Sequence, residues 1–157
     1  MRPSVRTDCT DMTVCVFRYF IVRPSTGSLP ALEAAMSHPQ GVWSFPVMTE
    51  RKLMAAVGCG DQVVTIFSVQ NSGAVQGAGV FTGHHQVQGS RTGVLMQWMV
   101  VGRKSVMLSS LPIRLESSRD GQEIEMGTAQ SLLGALGVWT GPPAVKTRLD
   151  RDQRIYR

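Results

Sequence analysis

The chain has 157 residues, of which 43% are hydrophobic, and it carries a formal net charge of +5. This size and composition are typical of one globular domain and exclude a disordered chain, and no apolar run approaches the ~18 residues of a membrane span. The excess charge belongs to the two ends, because residues 24–145 contain as many acidic as basic side chains. We therefore expect no broad cationic face on the folded body.

The first half of the folded region is predicted to contain one strand and two helices. Val14–Val22 is rich in β-branched and aromatic residues, which predicts a buried strand. A short helix capped by Ser28 follows, and Thr49 is predicted to cap a second helix that runs to Val57. Between the two helices, Gly41–Pro46 is predicted to form an aromatic loop.

The second half is predicted to be mostly strand. Val63–Val69 is an almost continuous apolar run, which is typical of a central strand, and Ala74–Phe81 returns as its hairpin partner. Thr82–Thr92 is polar and glycine-containing, which predicts a mobile loop before the next strand, Val94–Val101. The remaining predicted elements are a short strand at Leu111–Leu115, a turn at Ser117–Gly121 and a helix capped by Thr128.

The order of these elements excludes the strict β-α-β alternation of a Rossmann fold. About five strands and three helices remain, which predicts an α+β domain. Gly77 and Gly79 lie inside one predicted strand, and glycine at such a position indicates a bulge or a close backbone approach.

No catalytic signature is present. The glycines from Gly77 to Gly83 resemble a phosphate-binding loop, but they lie in a strand and open no helix. His84 and His85 are adjacent, which disfavours a shared metal ion, and no cysteine or carboxylate cluster accompanies them. The three cysteines form an odd set without paired spacing, which favours free thiols in a reducing compartment. We expect no enzyme activity, no metal and no cofactor.

Two parts of the sequence are candidate binding sites, Trp43 and the turn at Arg119 and Asp120. Trp43 is either a plug over the core or one wall of an aromatic pocket, since a flat π-face suits a planar base or a methylated amine. Arg119 and Asp120 lie in a tight turn. They form either a surface ion pair of little energetic value or a guanidinium fork directed at a backbone phosphate.

Five segments together resemble a YTH domain in their order and approximate spacing. They are FRYFIV, GVWS, TERKL, VVTIFSVQNSGAVQGAGVF and SRDGQEIE, and the resemblance covers roughly residues 17–137. It implies a PUA-like open β-barrel of about six strands flanked by about three helices. It also implies a reader of N6-methyladenosine in RNA without cofactor or catalysis. We accordingly expect an N-terminal extension over residues 1–13, a YTH-like RNA-binding domain over 14–139 and a basic C-terminal tail over 140–157.

The resemblance assigns roles to individual residues. Trp43 matches the first wall of the family's methyl-adenine cage, and Ser44 matches the residue whose carbonyl accepts the methylated amine's remaining N–H. Arg119 and Asp120 match the family's RDGQE turn, whose arginine contacts RNA phosphate. Arg23 stands where the family has a lysine near the RNA.

The segment after the first strand departs from the family pattern. Polar residues that bond the adenine edge usually stand there, and this chain offers the hydroxyls of Ser25 and Thr26 instead.

The cage loop departs further. The family places a second tryptophan, and a third aromatic residue or leucine, in the loop that corresponds to Thr82–Thr92, which contains no aromatic residue here. Trp98 matches a core tryptophan rather than a cage wall. His84 or His85, or the apolar side chains of Met96 or Leu95, remain as substitutes. Without such a substitute, methyl discrimination is expected to be modest.

The sequence therefore favours an RNA-binding reader of N6-methyladenosine in mRNA, acting in mRNA processing, with single-stranded methylated RNA as its ligand. The alternatives are a degenerate YTH fold that binds single-stranded RNA without methyl selectivity and a protein-interaction module built on Trp43 and Phe45. We expect a monomer in the nucleus or cytoplasm, with other mRNA-processing proteins as further partners and no membrane association.

Overall fold

The computed structural model describes residues 16–102, 105–111 and 119–138. Within these residues the chain forms eight strands and three helices. In chain order they are β1 (Phe17–Val22), α1 (Leu29–Ala35), β2 (Gln40–Trp43), α2 (Val47–Gly58), β3 (Gln62–Phe67), β4 (Ala74–Val75), β5 (Gly77–Gln88), β6 (Arg91–Trp98), β7 (Val106–Met107), β8 (Gln122–Ile124) and α3 (Met126–Ala135).

Six strands form one mixed sheet in the order β2-β6-β5-β3-β1-β8, and β4 pairs with β7 in a small second sheet. The pair β1 and β3 is parallel, because α1, β2 and α2 return the chain to the same end of the sheet, and every other described pair is antiparallel. The main sheet curls into an open half-barrel. The predicted α+β class and the open barrel of about six strands and three helices are confirmed.

The core lies between this curved sheet and the helices. Phe20 and Ile21 of β1 and Phe67 of β3 are at most 1% exposed, as expected of apolar runs in central strands. Leu32 from α1, Leu53 from α2 and the leucines of α3 complete the same cluster. Each such side chain contributes roughly 1.5–3 kcal/mol when fully buried.

The predicted aromatic loop at Gly41–Pro46 is wrong in its first half. Gln40–Trp43 forms an edge strand in which Trp43 pairs with Val94 of β6. Gly41 allows α1 to approach this strand, because a Cβ there would overlap the carbonyl oxygen of Ala35. This edge strand has four residues with glycine at its second position, and glycine weakens the strand signal in the sequence.

The predicted mobile loop at Thr82–Thr92 is also wrong, because β5 continues to Gln88 and forms a hairpin with β6. Gly89 has a φ of +62° at the two-residue turn, as a type II′ turn requires at its first central position. The pairing is irregular between Phe81 and His85. The hairpin extends beyond the core, and backbone pairing there does not need the apolar side chains by which strands are recognised.

The strand predicted at Ala74–Phe81 is interrupted at Gln76. The buried side chain of Gln76 accepts a hydrogen bond from the backbone N–H of Val69 at 2.9 Å, and β4 turns away to pair with β7. The close approach predicted at Gly79 is confirmed, since a Cβ there would lie 2.9 Å from the ring of Trp98.

The two threonines expected to cap helices lie inside them instead. Pro46 precedes α2 and Glu125 precedes α3, each in an extended conformation. Thr49 is buried and uses its hydroxyl for a tertiary hydrogen bond, described below.

The remaining expectations concern the cysteines, the predicted strand at Leu111–Leu115 and the two terminal extensions. Cys59 is buried and disulfide-bonded, so the prediction of free thiols is wrong at this position. The other two cysteines lie outside the described residues, as do residues 112–115 of the predicted short strand. The extensions predicted at residues 1–13 and 140–157 also lie outside the described residues, and those boundaries remain predictions.

Candidate functional site

Trp43 ends the edge strand β2 with its indole half-buried. Its ring stands edge-on to Phe67 at a centroid distance of 5.7 Å and an interplanar angle of 86°. Phe67 is completely buried and contacts Trp98 at 5.3 Å. The indole is therefore supported by a packed aromatic cluster while part of its surface stays accessible.

Two cavities share Trp43, Ser44 and Ser28 in their walls. One has a volume of about 340 Å³ and extends to Arg91 and Thr92 of β6. The other, of about 400 Å³, is bounded by the residues after β1, by the segment between β2 and α2, and by Asp120 of the 119–121 turn, with Arg23, Ser25 and Gln70 also in its lining. Volumes above about 300 Å³ are typical of small-molecule sites.

Ser44 is exposed between these cavities, immediately after β2. Within the described part of the chain, no donor hydrogen-bonds to its carbonyl oxygen. The backbone of Trp43 and Ser44 is in turn packed against Gly93, where a Cβ would overlap the Trp43 carbonyl oxygen and lie 2.9 Å from the Ser44 nitrogen. The open carbonyl is thus fixed in position by β6.

Asp120 connects three parts of the chain at the second cavity. Its Oδ1 accepts a hydrogen bond from the backbone N–H of Arg23 at 2.7 Å, and its Oδ2 accepts one from the Thr49 hydroxyl at 2.5 Å. The adjacent Gly121 has a φ of +81° and donates its N–H to the carbonyl of Ile21 at 2.7 Å. The end of β1, the first turn of α2 and the 119–121 turn are therefore held together by one carboxylate.

The two candidate phosphate-binding arginines adjoin Asp120, since Arg23 donates its backbone N–H to the carboxylate and Arg119 precedes Asp120 in the chain. Arg23 is half-buried, and its carbonyl accepts a hydrogen bond from the Gln70 amide at 3.1 Å. Arg119 is exposed, and its backbone N–H donates to the side chain of Gln122 at 3.0 Å. Within the described residues no ion pair joins Arg119 to Asp120, whose two oxygens accept hydrogen bonds from the Arg23 N–H and the Thr49 hydroxyl.

The two predicted hydroxyl donors behave differently. Ser25 lines the second cavity, and its hydroxyl lies 2.8 Å from that of Ser28. Thr26 lines neither cavity beside Trp43, and its hydroxyl accepts a hydrogen bond from the Asn71 amide at 3.1 Å. Five of the predicted site residues thus line the second cavity: Trp43, Ser44, Ser25, Arg23 and Asp120. Arg119 precedes Asp120 in the chain but does not line the cavity, and neither does Thr26.

None of the proposed substitutes for the missing cage wall lines these cavities. His85 lies 2.6 Å from a carboxylate oxygen of Glu50 on α2, and Met96 is fully buried. His84 and Leu95 likewise do not appear in either lining.

Sequence reasoning missed Arg91 and Ser28 as lining residues. Arg91 lies in the segment interpreted as a loop, and only the hairpin pairing of Gln88 with Arg91 places it beside β2. Ser28 is predicted from the sequence as the cap of the first helix, which gives no indication of a cavity. Residues 91–94 read Arg-Thr-Gly-Val and show no apolar alternation, so the sequence gives no local signal for Arg91.

Within the described residues, no group of three or more His, Cys, Asp or Glu side chains is arranged to hold a metal ion. Of the helices that the structure describes, none has the length and apolarity needed to cross a membrane.

The YT521-B-like domain, known as the YTH domain, matches residues 17–107 as a family model. This chain belongs to the YTH family. Among curated proteins, none matches it significantly.

Solved YTH domains share the fold. The YTH domain of the Zygosaccharomyces rouxii MRB1 protein, in complex with N6-methyladenosine RNA, is 22% identical with a TM-score of 0.62, covering 85% of this chain and 91% of that one. The Toxoplasma CPSF4 YTH domain, bound to a 7-mer m6A-modified RNA, is 20% identical with a TM-score of 0.61, covering 82% of this chain and 96% of that one. The Pho92 YTH domain in complex with m6A is 20% identical with a TM-score of 0.60, covering 85% and 90%.

Proposed function

We propose that this YTH domain reads N6-methyladenosine in single-stranded RNA. The observation that carries the proposal is the arrangement around Trp43, where a half-buried indole borders two cavities beside the open carbonyl of Ser44. An extruded adenine would stack on the indole, and the carbonyl would accept the N–H that the methylated amine retains. Membership in the YTH family and the m6A-bound structures of similar fold support this proposal.

The surrounding charges support RNA as the ligand. Arg23 borders the second cavity, and Arg119 is exposed in the turn that adjoins it. Guanidinium groups suit phosphate because their N–H donors bind its oxygens in pairs. We assign both arginines to the phosphates that flank the bound base, with Asp120 positioning the turn between them.

A titration of paired RNA oligonucleotides tests the proposal. The two RNAs differ only in the methyl group of one adenine, and both are measured at one stated salt concentration. The expected result is saturable binding of both RNAs with tighter binding of the methylated one. Equal affinities would support the degenerate YTH fold, and absence of salt-sensitive binding would contradict an RNA reader altogether.

The protein-interaction alternative needs both aromatic residues of the 43–46 segment on the surface. Phe45 is only 6% exposed and packs against Phe67 and Phe81. A hot spot would therefore depend on Trp43 alone, which weakens this alternative.

The proposal has further elements, which are consistent with an RNA ligand. The domain acts as a binding protein rather than an enzyme, works as a monomer, and serves in mRNA processing together with other mRNA-processing proteins. Its location is the nucleus or the cytoplasm, where mRNA is present. This placement rests on the ligand and not on cysteine usage, since Cys59 is disulfide-bonded.

A further inference from the structure

The cavity of about 340 Å³ combines one aromatic wall with one charged side chain. The start of α1 contributes Ser28 and Ala31, β2 contributes Trp43, and β6 contributes Arg91 and Thr92. Arg91 is the charged residue in this lining. Among the residues that the structure describes, Trp43 is the aromatic residue that borders the cavity.

The hairpin that carries Arg91 is fixed against the strand that carries Trp43. Trp43 pairs directly with Val94, and Gly93 leaves no space for a side chain between β6 and the Trp43 carbonyl. The side-chain oxygen of Gln88, the residue paired with Arg91, accepts a hydrogen bond from the backbone N–H of Val42 at 3.3 Å. The hairpin is thus attached to β2 at Gln88 and at Val94. Arg91, the first residue of β6, lies between these two residues in the chain.

We propose that Arg91 forms the second wall of the base pocket, with its planar guanidinium stacked on the face of adenine opposite Trp43. The proposal rests on the proposed function, because it concerns the same pocket. A guanidinium is flat, weakly hydrated and well suited to stacking on a base, in the way that arginine planes hold unstacked bases of single-stranded RNA. Within the described part of the chain, no side chain engages the Arg91 guanidinium by a hydrogen bond or ion pair.

Arg91 also borders a third cavity, of about 440 Å³, together with Ser37, His38 and Gln40. If its guanidinium turned toward that side, it would contact a flanking phosphate instead of the base. The two arrangements differ in what Arg91 senses. A stacked guanidinium depends on the presence of the base, whereas a phosphate contact does not.

The experiment uses RNA with adenine, N6-methyladenosine or an abasic sugar at the central position. It compares the unchanged protein with Arg91→Ala and Arg91→Lys. Stacking predicts that Arg91→Ala weakens both base-containing RNAs by roughly five- to hundred-fold and leaves abasic RNA unchanged. Arg91→Lys is expected to behave like Arg91→Ala, because an ammonium keeps the charge and loses the plane.

The opposite pattern would overturn the inference. Equal weakening of all three RNAs by Arg91→Ala, restored by Arg91→Lys and accompanied by a smaller salt dependence, would assign Arg91 to phosphate binding. Unchanged binding of every RNA would leave Arg91 without a role in the pocket. Arg91 is exposed, so neither substitution should affect the thermal unfolding temperature, and that measurement serves as the folding control.

Trp43→Ala separates failure of this inference from failure of the proposed function. If it removes the difference between base-containing and abasic RNA while Arg91→Ala does not, the pocket is correct and only the second wall is misassigned. If neither variant changes that difference, the base pocket itself is wrong.

A gain of selectivity gives an independent check. A guanidinium attracts the π-face of methylated and unmethylated adenine equally, whereas an apolar wall increases the binding free energy of the methylated base by burying its methyl group. Arg91→Trp and Arg91→Leu should therefore increase the ratio of affinities for methylated and unmethylated RNA. A decrease in that ratio would contradict the placement of Arg91 in the wall of the base pocket.

Discussion

At the scale of single residues, Trp43 occupies two environments at once. Its inner edge packs against the fully buried Phe67, and its outer surface borders two cavities. The interpretation as a core plug and the interpretation as a pocket wall therefore each describe part of the same side chain. Packing on a rigid aromatic cluster preorganises the exposed surface for stacking, because the ring loses little freedom when a base binds.

Trp43→Ala should abolish the preference for methylated RNA and lower the affinity for both RNAs. Base–aromatic stacking is worth ~1–3 kcal/mol per base, and this variant removes it. We expect the domain to remain folded, since Phe67, Phe45 and Trp98 still pack against one another. Paired RNA titrations and circular dichroism check both statements. Val87→Ala, at a site 72% exposed on the hairpin, is a matched surface control.

Arg119→Ala should weaken methylated and unmethylated RNA by the same factor. An arginine that contacts phosphate carries no information about the base, so the salt dependence of binding should decrease by about 0.7–1 in log–log slope. Affinities measured at several salt concentrations give this slope. A slope that does not change would remove Arg119 from the RNA interface.

Asp120→Asn distinguishes a positioning role from simple electrostatics. The substitution removes a negative charge near two arginines, so electrostatics alone predicts tighter RNA binding. We expect weaker binding instead, with a loss of about 1–3 kcal/mol in the free energy of unfolding, because the carboxylate accepts hydrogen bonds from Arg23 and Thr49. RNA titration and chemical denaturation measure the two effects. Tighter binding with unchanged stability would contradict the positioning role.

At the scale of elements, the β5–β6 hairpin decides the shape of the base pocket. Its tip is short and polar, and it approaches β2 closely through Gly93. The hairpin brings Arg91 and Thr92 to the cavity beside Trp43 where a longer loop would have room for aromatic side chains. The short distance between β2 and β6 therefore limits the size of the pocket.

Gly93→Ala should disrupt this pocket without touching any ligand-binding side chain. A Cβ at position 93 would overlap the backbone of Trp43, and backbone atoms cannot move aside as a flexible side chain does. We expect a loss of about 1–3 kcal/mol in the free energy of unfolding, together with weaker RNA binding. Thermal or chemical denaturation and the same RNA titrations measure the two changes.

Gly127→Ala is the matched control for that substitution. Gly127 is the second residue of α3 with nothing within 4 Å of its added Cβ, so alanine there should raise stability slightly, by less than the ~1 kcal/mol of a helix interior. RNA affinity should not change. Equal effects of the two alanines would show that Gly93 has no special role.

At the scale of the whole molecule, recognition is concentrated in one pocket rather than spread over a charged surface. Residues 24–145 have no net charge, and the excess of +5 consists of Arg18 and Arg23 at β1 together with a net +3 in residues 146–157. Counterion release from the folded body is therefore small, and the specific part of the affinity must come from the base site and the few arginines around it.

Discrimination between methylated and unmethylated RNA should be modest, on the order of ten-fold or less. Burying one methyl group is worth ~0.8 kcal/mol, and Trp43 is the one aromatic wall that the described residues give the cavity. His84→Ala and His85→Ala should leave the ratio unchanged, because neither histidine borders the cavities. The ratio of dissociation constants measures this directly. A ratio far above ten would mean that a further wall closes around the methyl group.

The central strands and the three helices could be predicted from the sequence, and so could the candidate residues around Trp43. Continuous apolar runs have few alternatives to burial, so β1 and β3 were recognisable, and the GVWS and SRDGQE segments identified Trp43, Ser44, Arg119 and Asp120. Tertiary structure alone decided the edge strand β2, the hairpin in place of a mobile loop, and the Asp120 hydrogen bonds that join three distant segments. These features rest on backbone pairing and on contacts between residues far apart in the chain, and neither leaves a local pattern of hydrophobicity.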